Sequence, residues 1–159
     1  MKSIRLISLL LALLVLGCVF VACDTNDYAS IELPERPFYD ITVSFQIKDN
    51  TGKTIFDAVN YNYKGHEDPT ILNIISDYVV IEEDYKFTVD KNNILVSIGG
   101  YKANTSKGDY WAFMKGTGHD VQAILKDENQ QKKKLSDGKM SEYVVKDGDS
   151  FTVVLVKAK

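Results

Sequence analysis

From Leu6 to Ala22 the chain is almost entirely Leu, Val, Ile, Ala and Phe, and the run stops at Cys23. Met1-Lys-Ser-Ile-Arg5 ahead of it is short and basic, and small residues precede a cysteine twice, at Gly17-Cys18 and Ala22-Cys23. A basic start, an apolar stretch and a small-residue end are the layout of a secretory leader. A leader over 1–22 leaves 137 of the 159 residues to fold. That is one domain with a real core and too little for two. Removing Lys2 and Arg5 takes the formal net charge from −3 to −5. An acidic domain is a poor match for nucleic acid, since phosphate neutralisation needs clustered cations.

The cysteine after a small residue resembles a bacterial lipobox, and Cys23 is the expected lipidation site. Val15-Leu-Gly-Cys18 carries the better aliphatic residue at −3, but polar sequence begins only at Asp24, which favours Cys23. The resemblance implies a palmitate-type lipid on the thiol and anchorage to the outer face of the cell membrane. Two acyl chains hold a protein stably, at about 0.8 kcal/mol per buried methylene. An uncleaved anchor is the alternative, because about 20 apolar residues can span a bilayer. Processing at Cys23 leaves no thiol free for a disulfide, a metal site or a nucleophile.

Residues 23–37 read as a tether, with two of the three prolines and no periodic apolar face. The domain is expected over 38–159. Ile41, Val43, Phe45 and Ile47 alternate with polar residues, which is a half-buried strand. Asp49-Asn-Thr-Gly52 is a turn. Thr54 to Tyr63 reads as its hairpin partner, with Ile55, Val59, Tyr61 and Tyr63 on one face; Ile55 to Asn60 also fits a helix. Asp68-Pro69 is expected to open a helix, followed by Ile71, Ile74, Ile75, Tyr78 and Val79 at helical spacing. Further strands are expected at Tyr85–Val89, Ile94–Ile98, Tyr110–Met114, Tyr143–Val145 and Phe151–Val156. Residues 115–138 read as a polar surface excursion, with a short hairpin or helix near 121–126. The fold class is α+β: one main helix on a mainly antiparallel sheet.

Four segments in order resemble a known pattern: Thr70-Ile-Leu-Asn-Ile-Ile75; Phe87 to Gly100, ending Ser97-Ile-Gly-Gly100; Tyr110-Trp-Ala-Phe113; and Ser141 to Asp149 with the closing strand. The set resembles the transcobalamin-like domain of cobalamin carriers and of bacterial surface lipoproteins. The resemblance implies a β-grasp-like fold and a binding role. It implies ligand contacts at Phe113, at Gly99 in the strand end, and beside them at Trp111, with a corrinoid-like small ligand or nutrient as cargo. The chain departs from the pattern in having no helical partner domain and a longer segment between Phe113 and Tyr143. Read from the residues alone, Trp111 and Phe113 are core first and ligand contacts second, and Tyr61 and Tyr63, among Asn60, Asn62 and Lys64, are expected to be partly exposed.

No motif calls for a catalyst, a cofactor or a metal. His66 and His119 read as loop histidines, and Lys146-Asp-Gly-Asp149 as a tight turn rather than a calcium loop. Lys132–Lys134 read as a solvated run. The expected function is a membrane-anchored, extracytoplasmic, non-catalytic binding module for a small ligand. The alternative is a structural or adhesive module for a protein or polysaccharide.

Overall fold

The computed structural model describes residues 35–136 and 139–158. The leader, Cys18, Cys23 and most of the tether lie outside the described residues.

The first strand, β1 (Tyr39–Lys48), pairs antiparallel with β2 (Thr54–Gly65) through the expected turn. Asp49 builds that turn: its carboxylate accepts from Thr51 Oγ1 at 2.7 Å and from the backbone N–H groups of Thr51 and Lys53. Burial raises the Asp49 pKa, but these bonds outweigh it and hold the carboxyl below its ordinary range. β2 is a strand throughout, which removes the helical alternative.

One face assignment within β2 is corrected. Phe56 and Ala58 point into the core before residue 59, and Tyr63 does so after it. The register shifts between Val43 and Phe45, so that Ser44 faces both Val59 and Asn60. Asn60 takes φ +52° and donates its N–H to Ser44 Oγ at 3.0 Å. This bulge inserts one residue and switches which parity faces inward. Val59 is therefore 73% exposed, no longer sharing a face with Tyr63, which is buried instead of partly exposed, while Tyr61 is half-buried as expected.

Helix α1 (Ile71–Asp77) continues into a π-helical turn over Tyr78–Glu82. Ile71, Ile74, Ile75 and Val79 are fully buried, so the stripe read from the sequence is the packing face. The start differs from the expected one: Thr70, not Asp68, is the N-cap, its Oγ1 accepting from Asn73 N at 3.2 Å. Asp68 instead accepts from the Tyr39 hydroxyl at 2.7 Å.

A small sheet follows: β3 (Phe87–Val89), β4 (Leu95–Ile98) and β5 (Tyr101–Lys102), all antiparallel. Tyr85 and Ile94, expected to begin these strands, lie outside β3 and β4 and are exposed. After β6 (Tyr110–Lys115) the excursion folds into two helices: α2 (Val121–Lys126), where a short hairpin or helix was expected, and α3 (Glu128–Lys134), which was not expected. Asp120 caps the first and Asp127 the second. The last strand, β7 (Ser150–Val156), closes the main sheet in the order β2-β1-β7-β6. β7 lies parallel to β1 and antiparallel to β6. The Lys146–Asp149 turn docks on β1: Asp147 Oδ1 accepts from Thr42 N, and Gly148 N donates to Thr42 O, both at 2.8 Å. Residues 143–145 form no named strand; Thr70 and Val144 make an isolated bridge.

Two cores result. Val43, Phe45 and Ile47 of β1 join Phe151, Val153 and Leu155 of β7, Trp111 and Phe113 of β6, and the α1 stripe. On the other face Ala112, Met114, Val154 and Val156 pack against Val121 and Ile124 of α2. β7 is buried on both faces along 151–156, which is why its sequence is a continuous apolar run instead of alternating.

Candidate functional site

Of the three residues expected to touch ligand, Phe113 and Trp111 are buried on β6 and Gly99 lies in the turn after β4. Phe113 is 6% exposed on the inner face of β6, its ring 5.1 Å from that of Tyr143. The hollow beside it has a volume of about 20 Å³ and is lined by Ile71, Lys115, Tyr143, Asp149 and Phe151 among others. Lys115 Nζ lies 5.5 Å above the Tyr143 ring, and a hydrogen bond with the Tyr143 hydroxyl, reinforced by charge, raises the lysine pKa. Trp111 is 4% exposed, and its indole N–H donates to Val96 O at 3.3 Å, tying the main sheet to the small one. Gly99 and Gly100, at φ +54° and +89°, form the two-residue connection of the β4–β5 hairpin. A Cβ on Gly99 would stand 3.1 Å from Phe56 Cζ, so glycine there is demanded by the backbone and by a close aromatic.

The histidines line separate hollows. His66 meets Phe38 edge-on, with ring centroids 5.2 Å apart, at the end of β2. His119 Nε2 lies 2.8 Å from Lys115 O beyond β6. Among the described residues no group of three or more His, Cys, Asp or Glu is placed to hold a metal ion. No helix among them is long and apolar enough to cross a membrane. Lys132 sits at the rim of a hollow of about 420 Å³ between α3 and the ends of β6 and β7. Lys157, beside it, is held by Asp109 at 2.7 Å. That hydrogen bond is the main reason the Asp109 carboxyl lies below its ordinary range.

A more distinctive surface lies where α1 passes over β2. A hollow of about 340 Å³ is lined by Tyr63, His66, Glu67, Asn73, Asp77 and the π-turn residues Val80 and Ile81. Val80 is 47% and Ile81 68% exposed. The buried stripe uses one side of the helical segment, so the two aliphatic residues after Val79 face outward. Tyrosine hydroxyls fix the acids around them. Tyr61 donates to Asp77 at 2.6 Å and Tyr78 to Glu83 at 2.7 Å. The Tyr61 and Tyr78 rings pack edge-on, with centroids 5.2 Å apart, and both do the same against Phe45. Burial first, then the bond to Glu83 and nearby carboxylates, pushes the Tyr78 pKa up to about 12. Burial and the bond to Asp77 raise that of Tyr61 as well.

Sequence reasoning passed over Val80 and Ile81. The available signal was an aliphatic pair out of phase with the stripe and bracketed by Asp77 and Glu82-Glu-Asp84.

No protein-family model matches the sequence, and a search of curated proteins gives no match. Among solved structures the chain is similar to haptocorrin in complex with Cbi, at 20% identity and a TM-score of 0.49, over 84% of this chain and 28% of that one. It is also similar to a candidate metal-binding protein from Ruminococcus gnavus, at 12% identity and a TM-score of 0.41, over 75% of this chain and 99% of that one. The chain thus spans just over a quarter of haptocorrin's length.

Proposed function

We propose that this protein is a lipid-anchored, extracytoplasmic binding module with no catalytic role. In this reading residues 1–22 are a leader, Cys23 carries the lipid, 23–37 are the tether and 38–159 are a transcobalamin-like, β-grasp-like domain. The basic start, apolar run and Ala22-Cys23 end support the anchor. The order of the four sequence segments supports the domain type. So does the arrangement of the sheet, where the first and last strands lie parallel at its centre and α1 packs on one face.

One observation carries the binding role. Val80 and Ile81 stand exposed beside a hollow that Asp77 lines, its carboxylate held by the Tyr61 hydroxyl, and Tyr78 holds Glu83 in the same stretch of chain. Exposed apolar side chains rimmed by polar groups mark interaction surfaces. That supports a macromolecular partner at this face, and the space beside Phe113, about 20 Å³, is far below the roughly 300–1,000 Å³ that drug-sized ligands occupy.

Capture of a small corrinoid-like ligand is the second reading. It rests on the sequence pattern at Phe113, Trp111 and Gly99, and on the Lys115–Tyr143 pair flanking Phe113. Cbi is the partner of haptocorrin, and its transfer to this chain belongs to this second reading. A thermal-shift panel of corrinoids, haem and nucleosides decides between the two, since a ligand at 100 times Kd adds about 2.7 kcal/mol of stability. No shift across the panel is the expected result, and a clear corrinoid shift lost in Phe113→Leu restores the small-ligand reading. Mass spectrometry of the mature N-terminus tests the anchor: a diacylglycerol-modified Cys23 supports it, and an unmodified, uncleaved chain removes it.

A further inference from the structure

The binding reading leaves the chemistry of the partner open, and the π-turn face supplies it. Val80 and Ile81 form the apolar centre. In sequence the pair is bracketed by Asp77 and by Glu82, Glu83 and Asp84, and Glu67, which lines the hollow with Asp77, is followed by Asp68. Among the described residues the ion pairs are Lys64–Asp40, Lys139–Glu142 and Lys157–Asp109, so none of these six carboxylates has a cation within pairing distance. The one lysine lining the hollow, Lys64, is already taken by Asp40 at 3.2 Å.

The acids are also held in position. Three of them, Asp68, Asp77 and Glu83, accept hydrogen bonds from Tyr39, Tyr61 and Tyr78 at 2.6–2.7 Å. A carboxylate fixed in place before binding loses less side-chain entropy when a cation meets it. Unneutralised charge around an exposed aliphatic pair attracts the opposite charge and gives it an apolar surface to cover. Several separated carboxylates along an open face match cations spaced along a chain better than a single small ion.

We infer that the face formed by Val80, Ile81 and the surrounding carboxylates docks a cationic polypeptide segment that carries aliphatic side chains. This rests on the binding-module reading and names the partner's chemistry. The partner's Lys or Arg groups lie over Glu67, Asp77 and Glu82, and its aliphatic groups cover Val80 and Ile81.

The test is fluorescence anisotropy with the full chain and a short labelled Leu/Lys peptide, at about 50 mM salt so that surface attraction is little screened. Ser/Lys and Leu/Glu peptides of the same length serve as comparisons. The Leu/Lys peptide is expected to bind, and the Ser/Lys peptide to bind roughly tenfold more weakly, a loss of about 1.4 kcal/mol. Val80→Ser/Ile81→Ser and Glu67→Gln/Glu82→Gln are each expected to weaken the Leu/Lys peptide roughly tenfold. Glu142→Gln, which neutralises an exposed acid already paired with Lys139, is expected to stay within about twofold. All these positions are solvent-exposed, and circular dichroism confirms that each variant is folded. The inference is overturned if the Leu/Lys peptide does not bind, if the serine double variant binds it unchanged, or if Glu142→Gln loses as much as Glu67→Gln/Glu82→Gln. A corrinoid thermal shift untouched by these variants would overturn it while leaving the binding-module reading standing.

Discussion

The Tyr61 hydroxyl donates to the Asp77 carboxylate at 2.6 Å, joining edge strand β2 to the last residue of α1. The bond holds α1 against β2 at the place where the π-turn begins. Tyr61→Phe keeps the ring against Phe45 and Tyr78 and removes only this donor. A hydrogen bond to a charged group contributes about 1.5–3 kcal/mol when well shielded, and a half-exposed one less. The expected loss is about 1 kcal/mol by urea denaturation, and an unchanged midpoint would show that the bond does not hold the helix.

Alkaline pH probes the same cluster. The Tyr78 pKa lies at about 12 against an ordinary 10.0, and that of Tyr61 is also raised. A raised value means that the folded state holds the phenol proton more tightly than the unfolded chain does. The stabilisation is complete below pH 10 and is lost as pH climbs toward 12. Urea midpoints measured across that window are expected to fall, and to fall less steeply in Tyr61→Phe/Tyr78→Phe. Equal slopes in the two proteins would contradict the assignment.

Phe113 separates a packing residue from a ligand contact. Its ring lies in the main core against Tyr143. Truncating a buried phenylalanine removes about 3–5 kcal/mol of stability. Phe113→Ala is expected to fall in that range or to fail to fold, and Phe113→Leu to lose about 1 kcal/mol. A fully stable Phe113→Ala would mean the ring is dispensable to the fold and free for another role.

Gly99 is tested by a pair of substitutions. Both Gly99 and Gly100 have positive φ, but only at Gly99 would a Cβ crowd Phe56. Gly99→Ala is expected to destabilise by about 1–3 kcal/mol, and Gly100→Ala by less. The reverse order would show that the glycine at 99 answers to something other than the hairpin and its aromatic neighbour.

The sequence made the framework legible where one periodicity ran unbroken. Alternation in β1 and the Ile71–Val79 stripe each named their buried face correctly. It failed where a local event changed the phase. Nothing in Val59-Asn60 announces a bulge, because asparagine at positive φ looks like any polar strand residue until its partner Ser44 is known. Asp68-Pro69 and Thr70 are all good helix openers, and only the structure shows Thr70 Oγ1 reaching Asn73. In the second helical layer α2 falls where a short hairpin or helix was expected, while α3 was hidden because it has no buried residue. The capping residues Asp120 and Asp127, together with the unbroken apolar run of β7, were the signals available for it. The proposed docking face was less legible than the fold. Aromatic residues drew attention to Trp111 and Phe113, which the core absorbs, and away from the aliphatic pair that stays outside.

The most direct test is hydrogen exchange, read by mass spectrometry, on the protein with and without the Leu/Lys peptide. Amides over 64–67 and 76–84 are expected to gain protection, while 113–115 and 143–151 stay as they were. Protection centred on Phe113 and Tyr143, or none over 76–84, would contradict the placement of the partner surface on the π-turn face.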